Sequence, residues 1–233
     1  MIATYAILCE GETEEYYFSK LLGEKFHKIA HLFKVDFKTG KQQPIDLDTH
    51  SIYPRKTFPN ATDIKSLQTF GEELISFFGF KKVFVVFDRD DNAEVHLQQV
   101  IDTDQMVFFY SNACFEYWFH LYEEHLNTEH PLLEKKEDGV FCQQSVIKVL
   151  KTYPRFNTFK KGKQSLHNRS RNFSWLYEEQ QLNQAISRAT ERFEEYKATN
   201  STVISRYSDP ITTIHHLIEA LETLEQQQET ITL

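Results

Sequence analysis

Cysteine is scarce in this chain, and the little there is has no pattern. Cys9, Cys114 and Cys142 show no paired spacing and no CxxC, which argues against a disulfide framework and against a zinc ribbon. No apolar run approaches the roughly 18 residues of a membrane span, and no signal peptide opens the sequence, so no membrane role is expected and a cytoplasmic protein is. Internal repeats and low-complexity tracts are absent, and the glutamines at 226–228 read as a fraying terminus. Excess positive charge is lacking too. A formal net charge of −8 excludes a chain coated in cations for non-specific DNA binding. What is present is apolar substance: 40% hydrophobic and 14% aromatic residues over 233 positions suffice for a sizeable core.

One segment departs from the acidic average. Residues 139–177 contain no Asp or Glu but eight basic residues: Lys148, Lys151, Arg155, Lys160, Lys161, Lys163, Arg169 and Arg171. Phe141, Tyr153, Phe156, Phe159, Phe173, Trp175 and Tyr177 are interleaved with them. Basic groups bind phosphates and aromatic faces stack on unpaired bases, so the composition suits single-stranded or looped nucleic acid. The plainer alternative is a solvated basic loop with its aromatics tucked into the core.

Three short apolar runs end abruptly in acidic residues, as buried parallel strands do at their carboxyl ends. Thr4-Tyr5-Ala6-Ile7-Leu8 leads into Cys9-Glu10-Gly11-Glu12-Thr13-Glu14. Val83-Phe84-Val85-Val86-Phe87 leads into Asp88-Arg89-Asp90-Asp91-Asn92. Met106-Val107-Phe108-Phe109-Tyr110 leads into Ser111-Asn112-Ala113-Cys114-Phe115-Glu116. Helical periodicity follows each turn: a helix from near Thr13, another at 62–78 behind Thr62-Asp63, one at 92–101, and an aromatic one carrying Phe115, Trp118, Phe119 and Tyr122. Residues 32–37 read as a further strand. The polar stretch 39–60, with Pro44, Pro54 and Pro59, reads as a long loop and a candidate lid over the site.

This alternation predicts an α/β fold, a mainly parallel sheet flanked by helices. Residues 1–127 form the catalytic unit. Residues 128–233 form a helical region, with helices at 143–151, 177–199 and 210–228 and no comparable strand, packed on the same core. Asp209 is the expected cap of the last helix, with Pro210 at its first position.

In open α/β sheets the site lies in the crevice at the carboxyl ends of the strands. Glu10, Asp88, Asp90 and Glu116 would meet there, and like charges that close suppress one another's ionisation unless a cation joins them. Asp88 and Asp90, if the strand runs through both, lie on one side roughly 6.5–7 Å apart, and Arg89 turns away. Glu10, Asp88 and Asp90 are therefore candidate ligands for Mg2+, with Mn2+ as the alternative. Glu10 is also a candidate general acid or base, and Gly11 permits close backbone approach to a ligand. Glu14 stands between two roles, a contact to substrate and stabilisation of its helix N-terminus. Glu116 is expected one turn into its helix. His27 and His31, His120 and His125, and His215 and His216 have helical spacings, but no partner completes a zinc set and they read as surface residues.

Taken in order, CEGETEEYYF (9–18), VFDRDDN (86–92), SNACFEYWF (111–119), TFKKG (158–162) and DPITTI (209–214) resemble the RloB-like family. Those proteins carry a Toprim-type domain and are encoded beside restriction and abortive-infection genes. The resemblance spans nearly the whole chain. It implies a Toprim-like sheet with Glu10 as the glutamate after the first strand and Asp88 and Asp90 as the metal-binding pair. Glu116 matches the glutamate of the SNxxFE motif, and Lys161 the lysine of an aromatic-x-lysine motif that would steady developing charge on phosphate. Ala113 stands where the family usually has proline, and the chain is shortened between Asp91 and Asp104. The implied activity is metal-assisted phosphodiester hydrolysis by a nuclease of antiviral defence, with one or two Mg2+. RNA, tRNA in particular, is favoured over DNA by analogy alone. Arg155, Lys160, Lys163, Arg169 and Arg171, together with Glu14, would contact substrate, and an ATPase or other defence protein would serve as activator, with a homo-oligomer as a further option.

Two other readings compete. Asp88-Arg89-Asp90 could be the aspartyl nucleophile motif of a haloacid dehalogenase-like phosphatase, but that fold places its nucleophile after the first strand, where Glu10 stands. Alternatively the chain is a non-catalytic sensor or scaffold that binds RNA or protein on the same fold.

Overall fold

A computed structural model describes residues 4–37, 64–89, 102–135, 141–161, 173–199 and 210–231. Five strands form one sheet: β1 (Tyr5–Cys9), β2 (Phe33–Phe37), β3 (Lys82–Asp88), β4 (Met106–Asn112) and β5 (Ile211–Thr212), in the order β2-β1-β3-β4-β5. The first four are parallel, and β5 joins β4 antiparallel. The helices are α1 (Glu12–Glu24), α2 (Ile64–Ser76), α3 (Glu116–His120), α4 (Gln143–Leu150), α5 (Glu179–Thr199) and α6 (Ile214–Ile231). Among the described residues no helix is long and apolar enough to cross a membrane.

The uninterrupted apolar character of β1 and β3 follows from burial on both faces. Alternate side chains serve two cores. Ile7, Cys9, Phe84, Val86 and Phe109 face a large cluster with α1, α3 and the later helices, including Val146, Leu182 and Leu217. Ala6, Leu8, Val83, Val85 and Phe87 face a smaller one with Ile64, Leu67, Phe70 and Leu74 of α2. Gly79, at φ +72, lets the chain turn out of the segment after α2 toward β3.

Two expectations need correction. The last helix starts at Ile214, not at Pro210, and residues 211–212 form a strand where none comparable was expected. The cause is the threonine pair. The Thr213 N–H donates to the Tyr110 carbonyl at 2.9 Å, and the Tyr110 N–H donates to Thr213 Oγ1 at 2.9 Å. Thr212 Oγ1 lies 2.8 Å from Ser111 Oγ and accepts the N–H of Ile214, the first residue of the helix, at 3.2 Å. Glu116, placed one turn into its helix from the pattern, is the first residue of α3, because β4 runs on through Asn112. The readings for 39–60, for a helix at 92–101, and for Asp90, Lys163, Arg169, Arg171 and Asp209 fall outside the described residues.

Candidate functional site

Register brings the acidic turns together. Cys9 pairs with Val86, so Glu10 leaves β1 beside the end of β3, and Asp88 pairs with Ser111. The Asp88 N–H donates to Glu10 Oε2 at 2.8 Å. Asp88, 5% exposed, is held at both oxygens. The Phe115 N–H donates to Oδ1 at 2.6 Å and Gln143 Nε2 donates to Oδ2 at 3.1 Å. Lys161 completes the group, its Nζ 3.5 Å from Asp88 Oδ2 and 3.9 Å from Glu116 Oε2.

Glu116 is fully buried, and neither of its oxygens has a hydrogen-bond partner. Glu14 is also buried and lies close over the turn: a Cβ at Gly11 would stand 2.7 Å from Glu14 Oε2 and would make that side chain shift. Its charge acts on Asp88 and on Lys161, which places Glu14 with the carboxylate cluster. Arg89 is buried as well. Alternation along β3 puts it on the Phe87 side of the sheet, where its charge is felt by Tyr110.

The electrostatics follow from this crowding. Burial, then the charge of Glu14, raise the Asp88 carboxyl well above the usual range; Lys161 opposes them, while Glu116 and Glu10 add to the rise. Burial pulls the Lys161 ammonium down, but Glu116 and Asp88 outweigh it and its pKa is raised. Lys161 therefore stays a cation and cannot serve as a general base at neutral pH. Burial first, then Glu116 and Asp88, push the Cys114 thiol up, which keeps it from acting as a thiolate. Among the described residues no set of three or more His, Cys, Asp or Glu side chains is already disposed around a metal position. The donor chemistry nevertheless fits a hard cation, because both Glu116 oxygens are buried without a hydrogen-bond partner and carboxylate oxygen is the donor such a cation takes.

The basic segment divides in two. Lys160 and Arg155 are exposed, and the Arg155 guanidinium lies 4.6 Å from the Trp175 ring centre and donates to Gln181 at 2.9 Å. Four of the seven aromatics expected to stack on bases do not offer their faces, while Tyr153, Trp175 and Tyr177 are partly buried. Phe141, Phe156, Phe159 and Phe173 are core residues, and Phe156 packs on Phe119, Phe173 and Trp175. Large rings gain more from burial than an acid-free neighbourhood in sequence can reveal.

Two of the histidines read as surface residues are fully buried. His120 Nε2 lies 3.0 Å from the Val146 carbonyl, and His215 sits against Phe193 and His216. Gln143 went unnoticed altogether, since a glutamine opening a helix carries no pattern that distinguishes it from a surface residue.

A mostly parallel sheet whose carboxyl edge gathers carboxylates about Lys161 defines an α/β protein with an ionic site at that edge. A profile of the RloB-like protein family matches residues 5–221, and the chain belongs to that family. No curated protein and no solved structure matches it.

Proposed function

We propose that this RloB-like protein is a Mg2+- or Mn2+-dependent nuclease of Toprim type, cleaving RNA, with tRNA the favoured class, as the effector of an antiviral defence system. The observation that carries the reading is Lys161 reaching Asp88 and Glu116 at the sheet edge where Glu10 receives the Asp88 amide. A bound divalent cation would supply Lewis-acid neutralisation of the scissile phosphate, with Glu10, Asp88, Asp90 and Glu116 as the residues to hold it.

The remaining chemistry belongs to the chain. Glu10, fixed through Oε2, is oriented to take a proton from an attacking water. Lys161, held cationic by its neighbours, stabilises charge that develops on a phosphate oxygen. Arg155 and Lys160, with Lys163, Arg169 and Arg171, would draw the substrate backbone toward that point. An activator such as an ATPase, and a homo-oligomeric state, remain part of this proposal.

Purified protein incubated with tRNA, other RNA and DNA, with Mg2+ or with EDTA, tests it. Cleavage that needs the cation and disappears in Asp88→Ala and Lys161→Met is expected. Intact nucleic acid under every condition overturns it. One observation favours binding without cleavage: both Asp88 oxygens are already engaged by Phe115, Gln143 and Lys161. RNA retention with no Mg2+-dependent product is the signature of that second reading.

A further inference from the structure

Among the described residues Asp88 is met by donors from three distant parts of the chain, and they differ in kind. The Phe115 N–H is backbone, and Lys161 is a charge. Gln143 is a neutral side chain that no motif singles out, yet its Nε2 lies closer to Asp88 Oδ2, at 3.1 Å, than Lys161 Nζ does at 3.5 Å.

The platform behind Gln143 is fixed. Cys142 precedes it in an extended conformation and donates its N–H to the Glu134 carbonyl at 2.8 Å. Ser145 Oγ donates to the Cys142 carbonyl at 2.7 Å, and His120 Nε2 lies 3.0 Å from the Val146 carbonyl. Val146, Val149 and Leu150 are buried in the main core. The first turn of α4 therefore has little freedom, and it presents the Gln143 amide to Asp88.

An amide and an ammonium do different work on a carboxylate. Lys161 cancels the charge that a metal ligand needs, whereas Gln143 restrains Oδ2 and leaves the charge in place. With Oδ1 tied to Phe115, restraint at Oδ2 fixes the rotation of the carboxylate plane. Partners of this sort orient ligands and are commonly worth about tenfold to a hundredfold in metal affinity.

We propose that Gln143 is a positioning residue that holds the Asp88 carboxylate in the orientation from which it takes a divalent cation. The inference rests on the cation reading of the site, and it adds a residue that reading did not contain.

Mn2+ binding to the full-length protein, followed by calorimetry and by the loss of the free-ion paramagnetic resonance signal, tests it without any nuclease assay. Gln143→Met keeps the bulk and loses the donor. Gln143→Asn keeps the amide but falls one methylene short of Oδ2. Gln144→Met, at the exposed neighbouring position, is the control. Both Gln143 variants should bind Mn2+ about tenfold more weakly or worse, with melting in EDTA unchanged and the control at wild-type affinity. Wild-type affinity in Gln143→Met overturns the proposal and leaves the cation reading standing. No Mn2+ binding by the wild-type protein overturns both. Should Gln143→Met melt early in EDTA, the Asn variant decides: weaker binding by a protein of normal stability supports positioning, and wild-type affinity overturns it.

Discussion

Glu116→Gln should make the metal-free protein more stable while weakening its hold on a divalent cation. The carboxylate is fully buried, and neither oxygen has a hydrogen-bond partner. Its compensation is the Lys161 ammonium, 3.9 Å from Oε2. At an effective dielectric of about 20 a pair at that separation attracts by about 4 kcal/mol. Because 41% of the Lys161 side chain is exposed, water screens part of that attraction. Against it stand the lost hydration of a buried ion, several kcal/mol even after relaxation, and the repulsion between Glu116 and Asp88. The costs exceed the gain.

Glutamine keeps the shape and sheds the charge, while Lys161 is free to turn toward solvent or Asp88. With the Lys161 side chain 41% exposed and able to find water, urea unfolding in EDTA should therefore favour the variant, and Mn2+ affinity should fall about tenfold or more. A variant that unfolds at lower urea than the wild type in EDTA would refute the argument. It would mean that Lys161 compensates Glu116 in full, and that the site is short of no cation.

Gly11→Ala should act through Glu14: the new Cβ would lie 2.7 Å from its Oε2, so the carboxylate must swing aside, and Mn2+ affinity should drop several-fold with a melting temperature close to wild type. Unchanged affinity would remove Glu14 from the site. Burial holds His120 at about 4 and His215 at about 3, against 6.5 for a free imidazole. Both folded values lie below the unfolded one, so their contribution is fully present above pH 6.5 and is lost as pH falls toward 4 and 3. At pH 5 the two together should cost about 4 kcal/mol. His215→Leu should lessen the loss of stability between pH 7 and pH 5, measured by urea unfolding, and an unaltered slope would show that His215 is not buried neutral.

The parts of the fold legible in the sequence are those where one physical cause dominates. Val83 to Phe87 could only be a strand buried on both faces, and its carboxyl end at Asp88 was therefore also the place to look for a site. The C-terminal region was harder because its signals conflict. Pro210 followed by an apolar periodicity announces a helix, yet the hydroxyls of Thr212 and Thr213 find partners on β4, and the sheet takes the two residues the helix would have used. His215 misled for a similar reason. A histidine pair with no metal-completing partner looks solvated, and His216 Nδ1 does lie 3.0 Å from Glu219 Oε2, but its neighbour is carried inward by the turn of the helix. Gln143 lay beyond reach because its role depends on a contact 55 positions away, with no local trace.

The acid-free segment shows how one composition can cover residues with different structural roles. Its lysines and aromatics suggested one surface gripping phosphates and bases together. In the folded chain they divide the labour. Phe159 is buried among Phe119, Phe156 and Phe173, and two residues on, Lys161 reaches the carboxylates of β3 and α3. An ammonium on a long, flexible stem needs such an anchor, because the entropy lost in holding it near two carboxylates is of the same order as the attraction itself. The aromatic-x-lysine spacing supplies it: the ring fixes the backbone, and the intervening exposed residue lets the chain turn. On this view the aromatics hold Lys161 in place, and under the proposed nuclease reading contact with a nucleic acid would fall to the exposed cations Lys160 and Arg155 instead of to the buried rings.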